Sequence, residues 1–228
     1  MIKSEIIIGG EKIHNSPTAT LKQHIINALN AGADLSQINK IVFVDSSNVE
    51  RDYTTSLTYD ITDKLTITGT IDVTDSYSVA YIRLYAGTNA YFEASKTMTV
   101  NSGDRIQVTV NITVSLSGTL GGSNVIDNNF SLFIYKVLAG QLSATALNIV
   151  NVIFRVTNLD TNETYDINGV VSKAVSDTSI SIESEISLDY PWALNSVSVK
   201  ASDKLYTYTT NYTGEPASIK YTDTLTIQ

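Results

Sequence analysis

Residues 65–74, LTITGTIDVT, place Leu65, Ile67, Ile71 and Val73 on one parity and Thr66, Thr68, Thr70, Asp72 and Thr74 on the other. Successive side chains of an extended chain point to opposite faces, so this pattern specifies a strand with one dry and one wet side. Residues 105–114 repeat the pattern: Ile106, Val108, Val110, Ile112 and Val114 alternate with Gln107, Thr109, Asn111 and Thr113. Strands of this kind bury their apolar face only against a second layer. The expected product is therefore a pair of antiparallel sheets packed as a sandwich.

The pattern is also written twice. At a displacement of 115 positions, Leu65, Ile67, Ile71 and Val73 meet Ile180, Ile182, Ile186 and Leu188. The same displacement brings Tyr77 onto Trp192, Ile82 and Leu84 onto Val197 and Val199, and Tyr91 onto Tyr206. At 113, Ile106, Val108, Ile112 and Val114 meet Ile219, Tyr221, Leu225 and Ile227; at 111, Val42 and Phe43 meet Ile153 and Phe154. Any two amphipathic strands match once they are in phase, but strand order, strand length and turn position agree here as well. A repeat this long is a domain, because solenoid units run to about 20–50 residues.

These observations predict an all-β protein with two tandem antiparallel β-sandwich domains, jelly-roll or Ig-like, and one short helix near the N-terminus. The helix is expected on the first domain at 19–31, where Leu21, Ile25, Ile26 and Leu29 form one stripe, Thr18 or Thr20 caps the start and Gly32 ends it. The first domain is expected at 1–118, a Gly/Ser linker at 119–124 and a second domain of similar fold at 125–228.

Composition narrows the function. The net charge is −8 and basic residues are scattered, whereas nucleic-acid binding needs a cationic footprint; no nucleic-acid partner is expected. No apolar run approaches the ~20 residues of a membrane span, and MIKSEIIIGG is too short for the core of an export signal. With no cysteine there is no disulfide or thiolate chemistry.

The residues give no catalytic constellation. His14 and His24 are the only histidines and stand in no metal-ligand spacing. There is no GxSxG elbow, and GTLGGS at 118–123 lacks the lysine of a phosphate loop. Glu183 and Glu185 share a strand face, but the repeat puts them on the wet side, at the places equivalent to Thr68 and Thr70. The acidic segments 45–52 and 160–166 occupy corresponding places and read as hairpin turns. No catalytic residue, cofactor or metal is expected, and the chain does not read as an enzyme.

Two sets of residues are candidates for binding. If Ile82 and Leu84 face the core, Tyr81, Arg83 and Tyr85 line the outer face of their strand, where the second half has Ser196, Ser198 and Lys200. Tyrosine and arginine are enriched in interface hot spots, so this strip is a candidate subunit interface; a strand stabilised by cross-strand pairs is the plainer reading. Tyr206, Tyr208 and Tyr212, near Asp203 and Asn211, are candidate glycan contacts should the chain be a surface adhesin or carbohydrate-binding module.

Residues 82–114, IRLYAGTNAYFEASKTMTVNSGDRIQVTVNITV, resemble a stretch recurring in viral structural proteins: an apolar-x-Leu-aromatic strand, then a strand around an aromatic and a small residue, closed by V-x-x-G-D-x-I-x-V-x-V-x-I-T. Tail and baseplate proteins of tailed phages carry similar stretches. The cysteine-free, Thr/Ile/Tyr-rich layout also resembles the vertex proteins (penton base and turret) of archaeal icosahedral viruses. The resemblance implies a virion component made in the host cytoplasm, assembling as a cyclic homo-oligomer with other virion proteins, with no catalytic residues.

Overall fold

The computed structural model describes residues 2–114, 124–125 and 129–227, so the expected linker at 119–124 lies outside the described residues except for Asn124. The chain forms two compact units: Met1–Ile25 with Leu35–Ser115 and Ile134–Ser143, and Ile26–Asp34 with Leu116–Phe133 and Ala144–Gln228.

The strands of the first unit are β1 (Ile2–Ile8), β2 (Glu11–Pro17), β3 (Lys40–Asp45), β4 (Glu50–Tyr53), β5 (Leu57–Ile61), β6 (Leu65–Asp72), β7 (Tyr77–Ala86), β8 (Asn89–Val100) and β9 (Arg105–Val114). They form one curled antiparallel sheet in the order β4-β3-β7-β8-β2-β1-β9-β6-β5. The curl turns on β2, which pairs with β1 through Glu11–Asn15 and then with β8 through Ser16 and Pro17. A strand that changes partners in this way makes the corner of a sandwich. Leu65, Ile67, Ile71 and Val73 are buried as the alternation requires, as are Val108, Val110, Ile112 and Val114.

Helix α1 (Ala19–Ala31) follows β2. The Thr18 hydroxyl accepts the Leu21 amide at 3.2 Å, which is the N-cap, and Gly32 ends the helix at φ +69° with its amide on the Ala28 carbonyl. Leu21, Ile25, Ile26 and Leu29 are all fully buried. The helix expected wholly on the first domain divides between the units after Ile25. The physical reason is that its last turn is bonded within the second: the Leu29 carbonyl accepts the Ile149 amide and the Asn30 carbonyl accepts the Lys173 ammonium.

The strands of the second unit are β10 (Asn124–Val125), β11 (Asn151–Asn158), β12 (Thr164–Val175), β13 (Ser179–Ser187), β14 (Trp192–Lys200), β15 (Lys204–Gly214) and β16 (Ser218–Thr226), in the order β10-β15-β14-β11-β12-β13-β16. Here β12 makes the corner: Thr164–Gly169 pair with β11 and Val170–Val175 with β13. The expected all-β fold and the helix near the N-terminus are present; a second helix, α2 (Asn129–Leu138), follows β10 as α1 follows β2 and divides between the units after Phe133. Its Phe130, Ile134, Val137 and Leu138 are buried at helical spacing, and a short apolar run rich in aromatic and β-branched residues conceals that period in the sequence.

The two units use equivalent strands in the same order. β3-β7-β8 corresponds to β11-β14-β15, and β9-β6-β5 to β16-β13 and the second half of β12. They differ in where the sheet stays open. The first unit is continuous through β1 and β2 and open between β4 and β5; the second is continuous through β12 and, among the described residues, open between β16 and the edge of β15, on which β10 covers only Thr207 and Tyr208.

Candidate functional site

That opening is a groove of ≈ 590 Å³ in the second unit. β16 lines it with Ile219, Lys220, Tyr221 and Thr222, and β15 with Tyr208, Thr210, Tyr212 and Thr213; Asp223 and Leu225, farther along β16, are buried and do not line it. Phe154 of β11 and Leu194 and Val197 of β14 form the floor. At one end Trp192, the only tryptophan, lies against Gly214, its cross-strand partner, and its indole N–H donates to the Glu215 carbonyl at 2.8 Å. A Cβ at Gly214 would stand 2.8 Å from the ring's Cε2, so the glycine is the seat of the indole.

A buried carboxylate underlies the groove. Asp223 Oδ2 accepts the Tyr206 hydroxyl at 2.6 Å and the Tyr221 hydroxyl at 3.2 Å, and Oδ1 accepts the Thr224 amide at 2.7 Å. Burial, reinforced by the Asp223 charge, pushes both tyrosines well above the ordinary phenol value and holds them neutral. These groups are spent on one another. What the groove offers is aromatic and aliphatic surface, threonine hydroxyls and the backbone edge of β16.

The three tyrosines proposed as glycan contacts therefore separate. Tyr208 and Tyr212 line the groove, Tyr212 being 63% exposed. Tyr206 does not: it shares their parity on β15, but Tyr221 and Asp223 on the facing strand cover and bind it.

In the first unit, Tyr81, Arg83 and Tyr85 are brought together on the outer face of β7, each engaged by its own neighbours. Arg83 Nε donates to Glu93 at 2.6 Å and Nη2 to Asn48 at 2.7 Å, with the guanidinium 5.7 Å from the Tyr81 ring centroid. The Lys40 ammonium stands 4.8 Å from the Tyr85 ring centroid. A bond from Tyr85 holds the Glu50 carboxyl below its usual value, while burial pushes the Tyr85 phenol up. Val42, Val44 and Tyr85 form a small apolar cluster on this outer face, with Tyr81 and Ala90 packed against it.

The acidic segments are hairpin turns. Asp45 accepts the Ser47 and Val49 amides and the Arg51 guanidinium, with the Val49 amide foremost in lowering its pKa. In the other hairpin, Asn158 Oδ1 accepts the Asp160 and Thr161 amides. Glu183 is exposed and pairs with Lys220 at 3.2 Å. Among the described residues no cluster of three or more His, Asp or Glu could hold a metal ion.

Sequence reasoning did not find Trp192, Ile219, Tyr221 or Asp223 as one site. The available signal was the upstream limit of the repeat: it begins at Val42 and Ile153 and supplies no second copy of residues 2–15. Comparison with protein-family models, with curated proteins and with solved structures gives no significant match.

Proposed function

We propose that the chain is a non-enzymatic structural component of a virion, at a capsid vertex or in a tail, working by assembly with copies of itself and with other particle proteins. The observation that carries this reading is the open seam of the second unit. It leaves a strand edge and an apolar groove unpaired among the described residues, in a fold whose first unit closes the equivalent seam with two strands. Unpaired edges are sites of pairing with another chain, and proteins that do not use them cover them. The resemblance of residues 82–114 to viral structural proteins supplies the setting. The test is mass by light scattering over a concentration series, with electron microscopy of any large species. A pentamer, hexamer or larger ring supports the reading; a monomer at every concentration, with and without particle proteins, opposes it.

A second reading, a carbohydrate-binding module of a surface adhesin, is favoured by one observation: Trp192, Tyr208 and Tyr212 line the same groove beside Thr210 and Thr222. Aromatic faces and hydroxyls suit pyranose rings. Glycan-array binding that is lost in Tyr212→Ala would favour it over assembly, and silence on the array would remove it.

A further inference from the structure

Among the described residues, the strand of the first unit without a counterpart in the second is β1. In the first unit it lies between β9 and β2, with Ile2, Ser4 and Ile6 turned inward opposite Val114, Ile112 and Val110. The displacement of 113 that carries β9 onto β16 puts Ile227, Leu225 and Asp223 at those three places. Among the described residues, β10 matches the last two residues of β2: Asn124 and Val125 pair with Tyr208 and Thr207 as Ser16 and Pro17 pair with Glu93 and Phe92. Carried back along the chain, that correspondence sets Ile2 on Val110, which already belongs to β9. Among the described residues the second unit therefore shows no counterpart of β1, the corresponding Val110–Val114 being part of β9.

We infer that the seam between β15 and β16 is a docking site for an extended strand donated by a different protein, pairing antiparallel to β16 as β1 pairs to β9. The inference rests on the reading of this chain as an assembly component. The homologous seam specifies the donor's chemistry. Its inward residues are apolar opposite Ile227, apolar or small opposite Leu225, and able to donate a hydrogen bond opposite Asp223, a carboxylate that accepts three donors among the described residues and can accept a fourth.

The donor is not a second copy. β1 is engaged on both edges by β2 and β9, and the open strands β4 and β5 run only four and five residues against nine in β16. An inward carboxylate on an edge strand also disfavours pairing of like edges.

The probe is a synthetic peptide of residues 1–9 carrying Ile6→Ser to face Asp223 and a benzophenone side chain in place of Ile2 to face Ile227, added to the intact protein, with a scrambled peptide as control. Trp192 emission reports occupancy, and mass spectrometry of the photoproduct reports position. The expected result is saturable binding that shifts Trp192 emission, weakens at least tenfold on scrambling, and crosslinks to β16 or β15. Absence of binding overturns the inference, as does a crosslink confined to β9, which would mean exchange into the first unit. A Trp192 shift that depends on protein concentration and not on peptide overturns it in favour of a second copy. Light scattering on the same samples separates the two claims. Assembly without peptide binding leaves the structural reading standing and removes this site; peptide binding by a persistent monomer does the reverse.

Discussion

Gly169 stands where β12 passes from β11 to β13, the corner on which the second unit closes. A Cβ there would fall on the Ser184 hydroxyl and within 2.7 Å of Phe154 Cε2, two side chains that are themselves fully or almost fully buried. The first unit relieves the equivalent junction from the other side. Gly69, the counterpart of Ser184 at 115 positions, leaves room for Leu57 and Thr54, whose methyl carbons would lie 2.6 and 2.7 Å from an added Cβ. Overpacking of a filled core costs about 1–3 kcal/mol, and alanine returns about 0.5–1 kcal/mol of the conformational cost of glycine. Gly169→Ala is therefore expected to lose about 1–2 kcal/mol, or on the order of 0.5–1 M in a urea midpoint. Adding Ser184→Gly removes the nearer obstacle, together with a hydroxyl that has no hydrogen-bond partner among the described residues, and leaves Phe154 as the one close contact. The double variant should recover at least half of the loss. Equilibrium urea unfolding of the four proteins in this cycle is the assay. A neutral Gly169→Ala, or additive effects in the double variant, refutes the argument that one space is shared across this corner.

Lys173 donates to the Asn30 carbonyl, the Asn148 side chain at 2.9 Å and the Ile149 carbonyl at 2.8 Å, so Lys173→Met strands acceptors at the end of α1. It should cost about 2 kcal/mol in the same unfolding assay, and a loss below about 0.5 kcal/mol contradicts that role. The raised tyrosines give a signed pH dependence: Tyr206 and Tyr221 stay neutral in the folded state after the unfolded chain begins to ionise. Their contribution is full below the unfolded value of about 10 and is lost as the pH rises beyond it, at about 1.4 kcal/mol per pH unit for each tyrosine. Stability measured from pH 8 to 11.5 should fall above about pH 10, with a shallower slope in Tyr206→Phe; an unchanged slope contradicts the burial argument. Gly32→Ala forces a side chain into φ +69° and within 2.7 Å of Thr145 Cα, and should lower the thermal midpoint more than any exposed glycine substitution such as Gly10→Ala.

The parts of this fold legible in the sequence are those set by neighbours along the chain. The inward faces of β6, β7 and β9 follow from alternation, and α1 from its stripe, its Thr18 cap and Gly32. Helix α2 escaped because FSLFIYKVL is apolar enough to suit either a strand or a buried helix, and only packing decides. The grouping of Tyr81, Arg83 and Tyr85 follows from parity, whereas Glu93, Asn48, Glu50 and Lys40 reach them from other strands. Tyr206, Tyr208 and Tyr212 are alike in sequence, and the difference between them is made by Tyr221 and Asp223 across the sheet. The open seam was hidden for a related reason: it is the lack, among the described residues, of a strand beside β16, and a lack leaves no pattern to read.

Amide hydrogen exchange of the dilute protein tests the central claim most directly, by comparing β16 with its counterpart β9. Val108–Ile112 of β9 are paired on both edges, by β1 and β6, while β16 pairs only with β13 among the described residues. The account predicts near-uniform protection over Val108–Ile112. In β16 it predicts alternation, with every second amide, facing the seam, exchanging orders of magnitude faster. Uniform slow exchange through Ser218–Thr226 at concentrations where the protein is monomeric would mean that the seam is already closed, and the account of the second unit as an acceptor would be wrong.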